Sequence, residues 1–175
     1  MAGKKTKIVL DADVIIHFAK GGRLVLLPKI LPEFQFMILD VVKREIPPLF
    51  NSSLERMITR DKSLIEERFG LTSGEMREFA ALTAASGLGL GKGESACMVY
   101  CLYHNDVLGS SNLRDVRQYC DDHGITYLTT VDFLYYAIQR KVMTKEEADA
   151  FVKQVVATGS KLPSVDFDTY FCNKI

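Results

Sequence analysis

At 175 residues, 47% of them hydrophobic, the chain fits one ordinary domain that can bury a substantial core without disulfides or a structural metal. Its 22 basic and 22 acidic residues cancel, which excludes a protein that coats nucleic acid through long-range charge; any such contact must come from a local patch. No apolar run approaches the roughly eighteen residues of a membrane span. The basic start Met1-Ala2-Gly3-Lys4-Lys5 is not followed by the apolar core of a signal peptide, because Asp11 and Asp13 interrupt it. A soluble, cytoplasmic protein is expected.

The first apolar run, Lys7-Ile8-Val9-Leu10, reads as a buried strand that stops on Asp11. Asp13 to Lys20 reads as a helix capped by Asp13 and ended by Gly21-Gly22, and Leu24 to Leu31 as another, closed by Pro32. Phe34 to Leu39 is the second strand. Asp40 follows it as a cap for a helix that carries Val41, Val42 and Glu45 before Pro47-Pro48 breaks it. From Ser53 to Gly87 the pattern is helical, interrupted near Phe69 to Ser73, with Ser73 capping the later piece.

Gly87-Leu88-Gly89-Leu90-Gly91-Lys92-Gly93 reads as a loop. It lacks the G-x-x-x-x-G-K-[ST] spacing of a phosphate cradle and no strand precedes it. Glu94 to His104 reads as a helix apolar nearly all round, and therefore central. Asp106 to Ser110 is the third strand with its exit loop, Leu113 to His123 a helix ended by Gly124, and Ile125 to Leu128 the fourth strand. Thr130 to Arg140 and Thr144 to Ala157 complete the helices, the latter opened by a capping box of Thr144 and Glu147.

Alternating strands and helices imply a three-layer α/β/α fold around a mostly parallel sheet of about four to five strands. The tail from 158 to 175 either adds an edge strand or drapes over the surface. One domain is expected over 1–175, with its core over about 6–157.

Cys97, Cys101, Cys120 and Cys172 show no disulfide framework and read as thiols. Cys97, Cys101 and His104 share one helical face, but zinc would lack a fourth ligand there, and buried thiols on an apolar face are the commoner arrangement.

Four carboxylates stand out by position: Asp11 at the end of the first strand, Glu45 in the helix after the second, Glu94 at a helix start, and Asp115 after the third strand. Any one of them alone is explained as a helix-terminus residue. As a series they mark the carboxyl ends of strands, where open α/β sheets place their ligands. His17, inside an apolar helical stretch, reads as a packed side chain rather than a proton shuttle.

The runs Ile8-Val9-Leu10-Asp11-Ala12-Asp13-Val14-Ile15-Ile16, Val41-Val42-Lys43-Arg44-Glu45-Ile46, Gly91-Lys92-Gly93-Glu94-Ser95-Ala96, Ser110-Ser111-Asn112-Leu113-Arg114-Asp115-Val116 and Gly124 to Leu134 resemble, in order, those of the PIN-domain family. These are metal-dependent nucleases that include the toxin halves of prokaryotic toxin-antitoxin pairs. The resemblance implies a catalytic tetrad of Asp11, Glu45, Glu94 and Asp115. Asp11, Glu94 and Asp115 would be ligands of Mg²⁺ or Mn²⁺, with Asp13 and Asn112 supporting.

It further implies RNA as substrate, an antitoxin protein as a partner and a homodimer. Carboxylates suit such ions, and several close together repel unless a cation sits between them. Lys92 and Arg114, whose placement is beside the site, and also Arg117, Lys43 and Arg44, flank the matched runs as candidates for phosphate contact. The chain departs from one family pattern at Asn112, where many relatives carry Asp; others place Asn there and the acid three residues later, as here.

Two alternatives stand beside the nuclease. One is a PIN fold that binds nucleic acid or protein without cutting. The other is a phosphatase of the haloacid dehalogenase type, which Asp11-x-Asp13-x-Ile15 and Val107 to Ser110 resemble. Its later acidic pair would have to be Asp121-Asp122, which falls within an expected helix.

Overall fold

The computed structural model describes residues 5–84 and 90–175. In chain order the elements are β1 Lys7–Leu10, α1 Ala12–Lys20, a 3₁₀ turn Leu24–Leu26, α2 Leu27–Ile30, β2 Gln35–Leu39, α3 Asp40–Lys43, α4 Pro48–Glu55, a π-helical turn Arg56–Arg60, β3 Ile65–Glu67, α5 Ser73–Ala84, α6 Lys92–His104, β4 Val107–Gly109, α7 Leu113–His123, β5 Tyr127–Leu128, α8 Thr130–Gln139 and α9 Lys145–Ala157. The expected loop over Gly87-Leu88-Gly89 lies outside the described residues.

The five strands run in the order β3-β2-β1-β4-β5, all parallel. Ile8, Val9 and Leu10 of the central strand are completely or almost completely buried, which is why β1 reads as an unbroken apolar run rather than as an alternating one. One helical layer is made by α5, α6 and α7 and the other by α1, α2, α8 and α9; the short α3 leans from β2 onto α6. In α6 every residue from Gly93 to Cys101 is buried, as expected for the middle helix of its layer. Across the sheet, Phe18 of α1 and Phe36 of β2 both pack on Phe133 of α8, with ring centroids 6.2 and 6.1 Å away.

The structure departs from the sequence-based expectations in several places. A fifth strand, Ile65–Glu67, falls inside the stretch read as helical. It is an edge strand whose two glutamates are held by cations: Lys7 Nζ reaches Glu67 at 2.5 Å and Lys43 Nζ reaches Glu66 at 2.6 Å. Tyr100 Oη also donates to Glu67.

The cap of α1 is Asp11, whose carboxylate accepts from Ala12 N–H; Asp13 lies in the first turn. Asp40 likewise opens α3 without capping it, because its Oδ1 accepts from Phe69 N–H, 29 residues on. Since α3 ends at Lys43, Glu45 stands in the turn beyond it rather than in a helix. For α5 the reciprocal bonds run between Thr72 and Glu75, so Thr72 takes the capping role read for Ser73. The tail adds no strand. The box of Thr144 with Glu147 and the left-handed end of α7 at Gly124 (φ +66°) are as expected.

Cys97 and Cys101 are buried thiols, and His104 faces Glu75 at 3.1 Å. No helix among the described residues is long and apolar enough to cross a membrane.

Gly21, at the end of α1, has ordinary backbone angles, but a Cβ there would stand 2.2 Å from the ring of Phe151, which packs on Phe18. Gly21→Ala is therefore expected to destabilise the fold by about 1–3 kcal/mol through overpacking, read as a lower urea midpoint at unchanged slope. Unchanged stability would contradict the packing of α9 against α1.

Candidate active site

The carboxyl ends of β1 and β4 lie side by side, and Asp11 is fixed between them. Its N–H donates to Gly109 O at 2.8 Å, its Oδ1 accepts from Ala12 N–H at 2.7 Å, and its Oδ2 accepts from Ser110 Oγ at 3.1 Å. Burial, with a smaller contribution from the charge of Glu45, raises its pKa to about 6. Asp13, one step into α1, accepts from Ser111 N–H at 2.9 Å through Oδ2 and from Val14 N–H at 2.6 Å through Oδ1. Burial and then the neighbouring Asp11 raise it to about 7.

Glu45 reaches the same place from the turn after α3. Its Oε1 accepts from Gly93 N–H at 2.9 Å, at the start of α6. A Cβ on Gly93 would lie 2.6 Å from Glu45 Oε2, so glycine at 93 is what permits the approach. The next residue, Glu94, is 7% exposed, and its Oε1 is buried with no hydrogen-bond partner among the described residues. Its pKa is raised to about 8, by burial first and then by Asp11, Asp115 and Asp13, while the Asn112 side chain opposes the rise. Asn112 stands at the cap position of α7, and its Nδ2 donates to Asp115 Oδ2 at 2.9 Å.

Asp11, Asp13, Glu45, Glu94, Asn112 and Asp115 thus line one open cleft of about 370 Å³. Carboxylates from distant parts of the chain meet there. Their oxygens do not converge on a point: among the described residues, no three His, Cys, Asp or Glu side chains are arranged to hold one ion as they stand. Two of the oxygens that would have to converge are turned to other donors, Glu45 Oε1 to Gly93 and Asp115 Oδ2 to Asn112.

The flanking cations do not line this cleft. Lys92 and Arg114 are exposed at the starts of α6 and α7. Arg117 lies on the far side of the first turns of α7, where it faces Asp121 at 3.9 Å. Lys43 is held by Glu55 and Glu66, and Arg44 by Asp40.

Sequence reasoning missed the supports. Ser111 Oγ donates to Thr130 Oγ1 and accepts from Thr130 N–H, both at 2.8 Å, and His17 Nδ1 bonds Thr130 Oγ1 at 2.8 Å. Burial, with a smaller contribution from Lys20, lowers the His17 pKa to about 4, so it is a neutral packing residue. The available signal was positional: a serine pair immediately after a strand that ends beside Asp11.

No protein-family model and no curated protein matches the chain. Among solved structures it is similar to a PilT N-terminus domain protein from the hyperthermophilic archaeon Sulfolobus solfataricus P2. The identity is 16% and the TM-score 0.43, over 72% of this chain and 88% of that one.

An acid whose pKa is raised on folding supports stability below its ordinary pKa and loses that support as pH climbs through the raised value. In EDTA, Tm is therefore expected to fall from about pH 6.5 to about pH 8 as Asp13 and Glu94 ionise, above the interval in which the buried, neutral His17 raises stability with pH. Glu94→Gln should flatten that fall and raise Tm at the upper end, by about 2–4 °C for each kcal/mol of repulsion removed. A Tm that rises over this interval in wild type would contradict the crowding of these carboxylates.

Proposed function

We propose that the chain is a divalent-metal-dependent nuclease of PIN type that hydrolyses phosphodiester bonds of RNA. The observation that carries this reading is Glu94 Oε1, a buried carboxylate oxygen without a partner among the described residues, in a cleft lined by four further carboxylates beyond the ends of parallel strands. An all-oxygen anionic set of this kind suits Mg²⁺ or Mn²⁺. Asp11, Glu94 and Asp115 would hold the ion. A bound ion of this class lowers the pKa of a water in contact with it and stabilises charge that develops on a phosphate.

The chain's own groups have separable tasks. Asp11, locked by Gly109, Ala12 and Ser110, is the fixed edge of the site. Glu94 Oε1 either completes the ligand set or takes the proton of the attacking water. Glu45 and Asp115 would exchange their present partners, Gly93 N–H and Asn112 Nδ2, for the ion or the substrate. Asp13 holds the Ser111 backbone and with it the loop between β4 and α7.

RNA as substrate, an antitoxin as partner, a homodimer and a cytoplasmic setting rest on the family resemblance of the runs around Asp11, Glu45, Glu94 and Asp115. The phosphatase reading has less support, because Glu94 and Asp115 share the cleft of Asp11 while Asp121 and Asp122 lie within α7. A PIN-type fold that binds without cutting is favoured by one observation: the Asn112–Asp115 and Glu45–Gly93 bonds satisfy two of the four acids inside the protein.

The test is cleavage of mixed single-stranded and structured RNAs with Mg²⁺ or Mn²⁺. Asp11→Asn retains a good helix cap, so it separates folding from chemistry. Wild type should cut only with the ion, and the variant should be slower by at least about 10- to 100-fold. Equal rates for the two proteins would remove the nuclease assignment.

A further inference from the structure

The tail builds a second concavity beside the acidic cleft. Phe167 and Cys172 are buried, Tyr136 Oη bonds both the N–H and the carbonyl of Ile175, and Asp132 receives Tyr170 Oη at 2.6 Å and Lys174 Nζ at 2.8 Å. Asp132 also closes the capping box of α8 with Thr129, so the tail is anchored to the helix start that supports Ser111 through Thr130. Between the tail and α7 this leaves a groove of about 380 Å³, at the low end of the roughly 300–1,000 Å³ of small-ligand sites. Leu113, Val131, Pro163 and Tyr170 give it an apolar wall, and Arg117 and Lys161 are exposed at its rim.

A groove under a tail is commonly no more than imperfect packing. Here its charge argues otherwise. The chain is neutral overall, yet among the described residues the cleft is lined by five carboxylates and no cation, while the groove is lined by Arg117, Lys161 and Lys174 and no carboxylate. Lys174 is neutralised by Asp132, but Arg117 meets only the distant, exposed Asp121, and Lys161 has no ion-pair partner among the described residues. The start of α7 is the partition: Asn112 and Asp115 face the cleft, Leu113 and Arg117 the groove. Ser111 lines the groove while its N–H holds Asp13 in the cleft. A polyanion is repelled by the carboxylates of the cleft themselves, so placing one of its phosphodiesters there requires cations within reach, and the neutral chain supplies them on this side.

We infer that the groove between α7 and the tail is a subsite for one nucleotide of a single-stranded nucleic acid whose neighbouring phosphodiester lies in the acidic cleft. Its base lies on the apolar wall and its phosphate meets Lys161 and Arg117. An apolar, aromatic wall with a cationic rim suits a nucleotide better than an acidic peptide, because every base offers a flat apolar face beside its phosphate. The inference rests on the nuclease reading for the position of the scissile bond, but not for binding.

The experiment is fluorescence anisotropy of a fluorescein-labelled ten-nucleotide single-stranded RNA in EDTA, where cleavage cannot contribute, together with cleavage kinetics in Mn²⁺. Lys161→Glu and Arg117→Glu, both at exposed positions, should each raise Kd about fivefold or more and make its salt dependence shallower by about one contact. Lys153→Glu, on exposed α9 surface, should leave Kd unchanged. In cleavage the two groove variants should raise KM and spare kcat. Binding that depends on Lys161 without any Mn²⁺-dependent cleavage sustains the subsite and removes the nuclease reading. Cleavage with Kd and KM unmoved by both groove variants overturns the subsite and leaves the nuclease reading standing. A wild type that binds no oligonucleotide also overturns it, and assigns the groove to an acidic peptide or a second copy of the chain.

Discussion

The end of the central strand is tied to the end of β4, and the candidate site hangs from that tie. With its N–H on Gly109 O and its carboxylate on Ser110 and Ala12, Asp11 cannot turn away from the crevice. Parallel strands bring their carboxyl ends to one edge of the sheet, so each loop that leaves this edge delivers its side chains near Asp11. Burying several carboxylates there is costly unless donors or a cation offset their repulsion. For Asp11 and Asp13 the donors are backbone and hydroxyl groups. For Glu94 Oε1 the described residues offer none, and this asymmetry is the one expected of a site that takes a positive ligand.

The supports of the β4–α7 loop are polar side chains bonded to one another, which holds the loop without closing the cleft. Ser111, Thr130 and His17 form one chain of bonds from the β4–α7 loop into the opposite helical layer. The capping box of Thr129 and Asp132 extends it to the tail. Although burial alone would raise Asp132, Lys174, Thr129 and Tyr170 hold its carboxyl below the usual range. Charges are thereby sorted into neighbouring concavities divided by the start of α7. A neutral protein gains a local electrostatic pattern that its composition conceals.

What the sequence made legible followed from strong local signals. The Gly124 stop and the Thr144–Glu147 box each combine a helical period with a capping residue, and the unbroken apolar run of β1 marks a strand buried on both faces; all three stand where the sequence places them. β3 was invisible because two of its three residues are glutamates whose cost is met by Lys7 and Lys43 from distant segments. Capping was misassigned at Asp13 and Asp40 for a related reason: their side chains bond Ser111 and Phe69 across the fold, and no local rule anticipates such partners. Asp11, Glu45, Glu94 and Asp115 were identified as a series from their places beside strands and helix starts. Their meeting in one cleft needed the strand order, and the turning of Glu45 onto Gly93 needed the missing Cβ. Ser110, Ser111 and Thr130 carry no motif of their own, and their roles exist only once β4 lies beside β1.

The most direct measurement is the location of the ion. In crystals soaked in Mn²⁺, an anomalous difference peak is expected among the carboxylates of Asp11, Glu94 and Asp115, with Glu94 Oε1 in contact with it. A cleft without a peak, with Glu45 still bonded to Gly93 and Asp115 to Asn112, would contradict the assignment of a metal-dependent site.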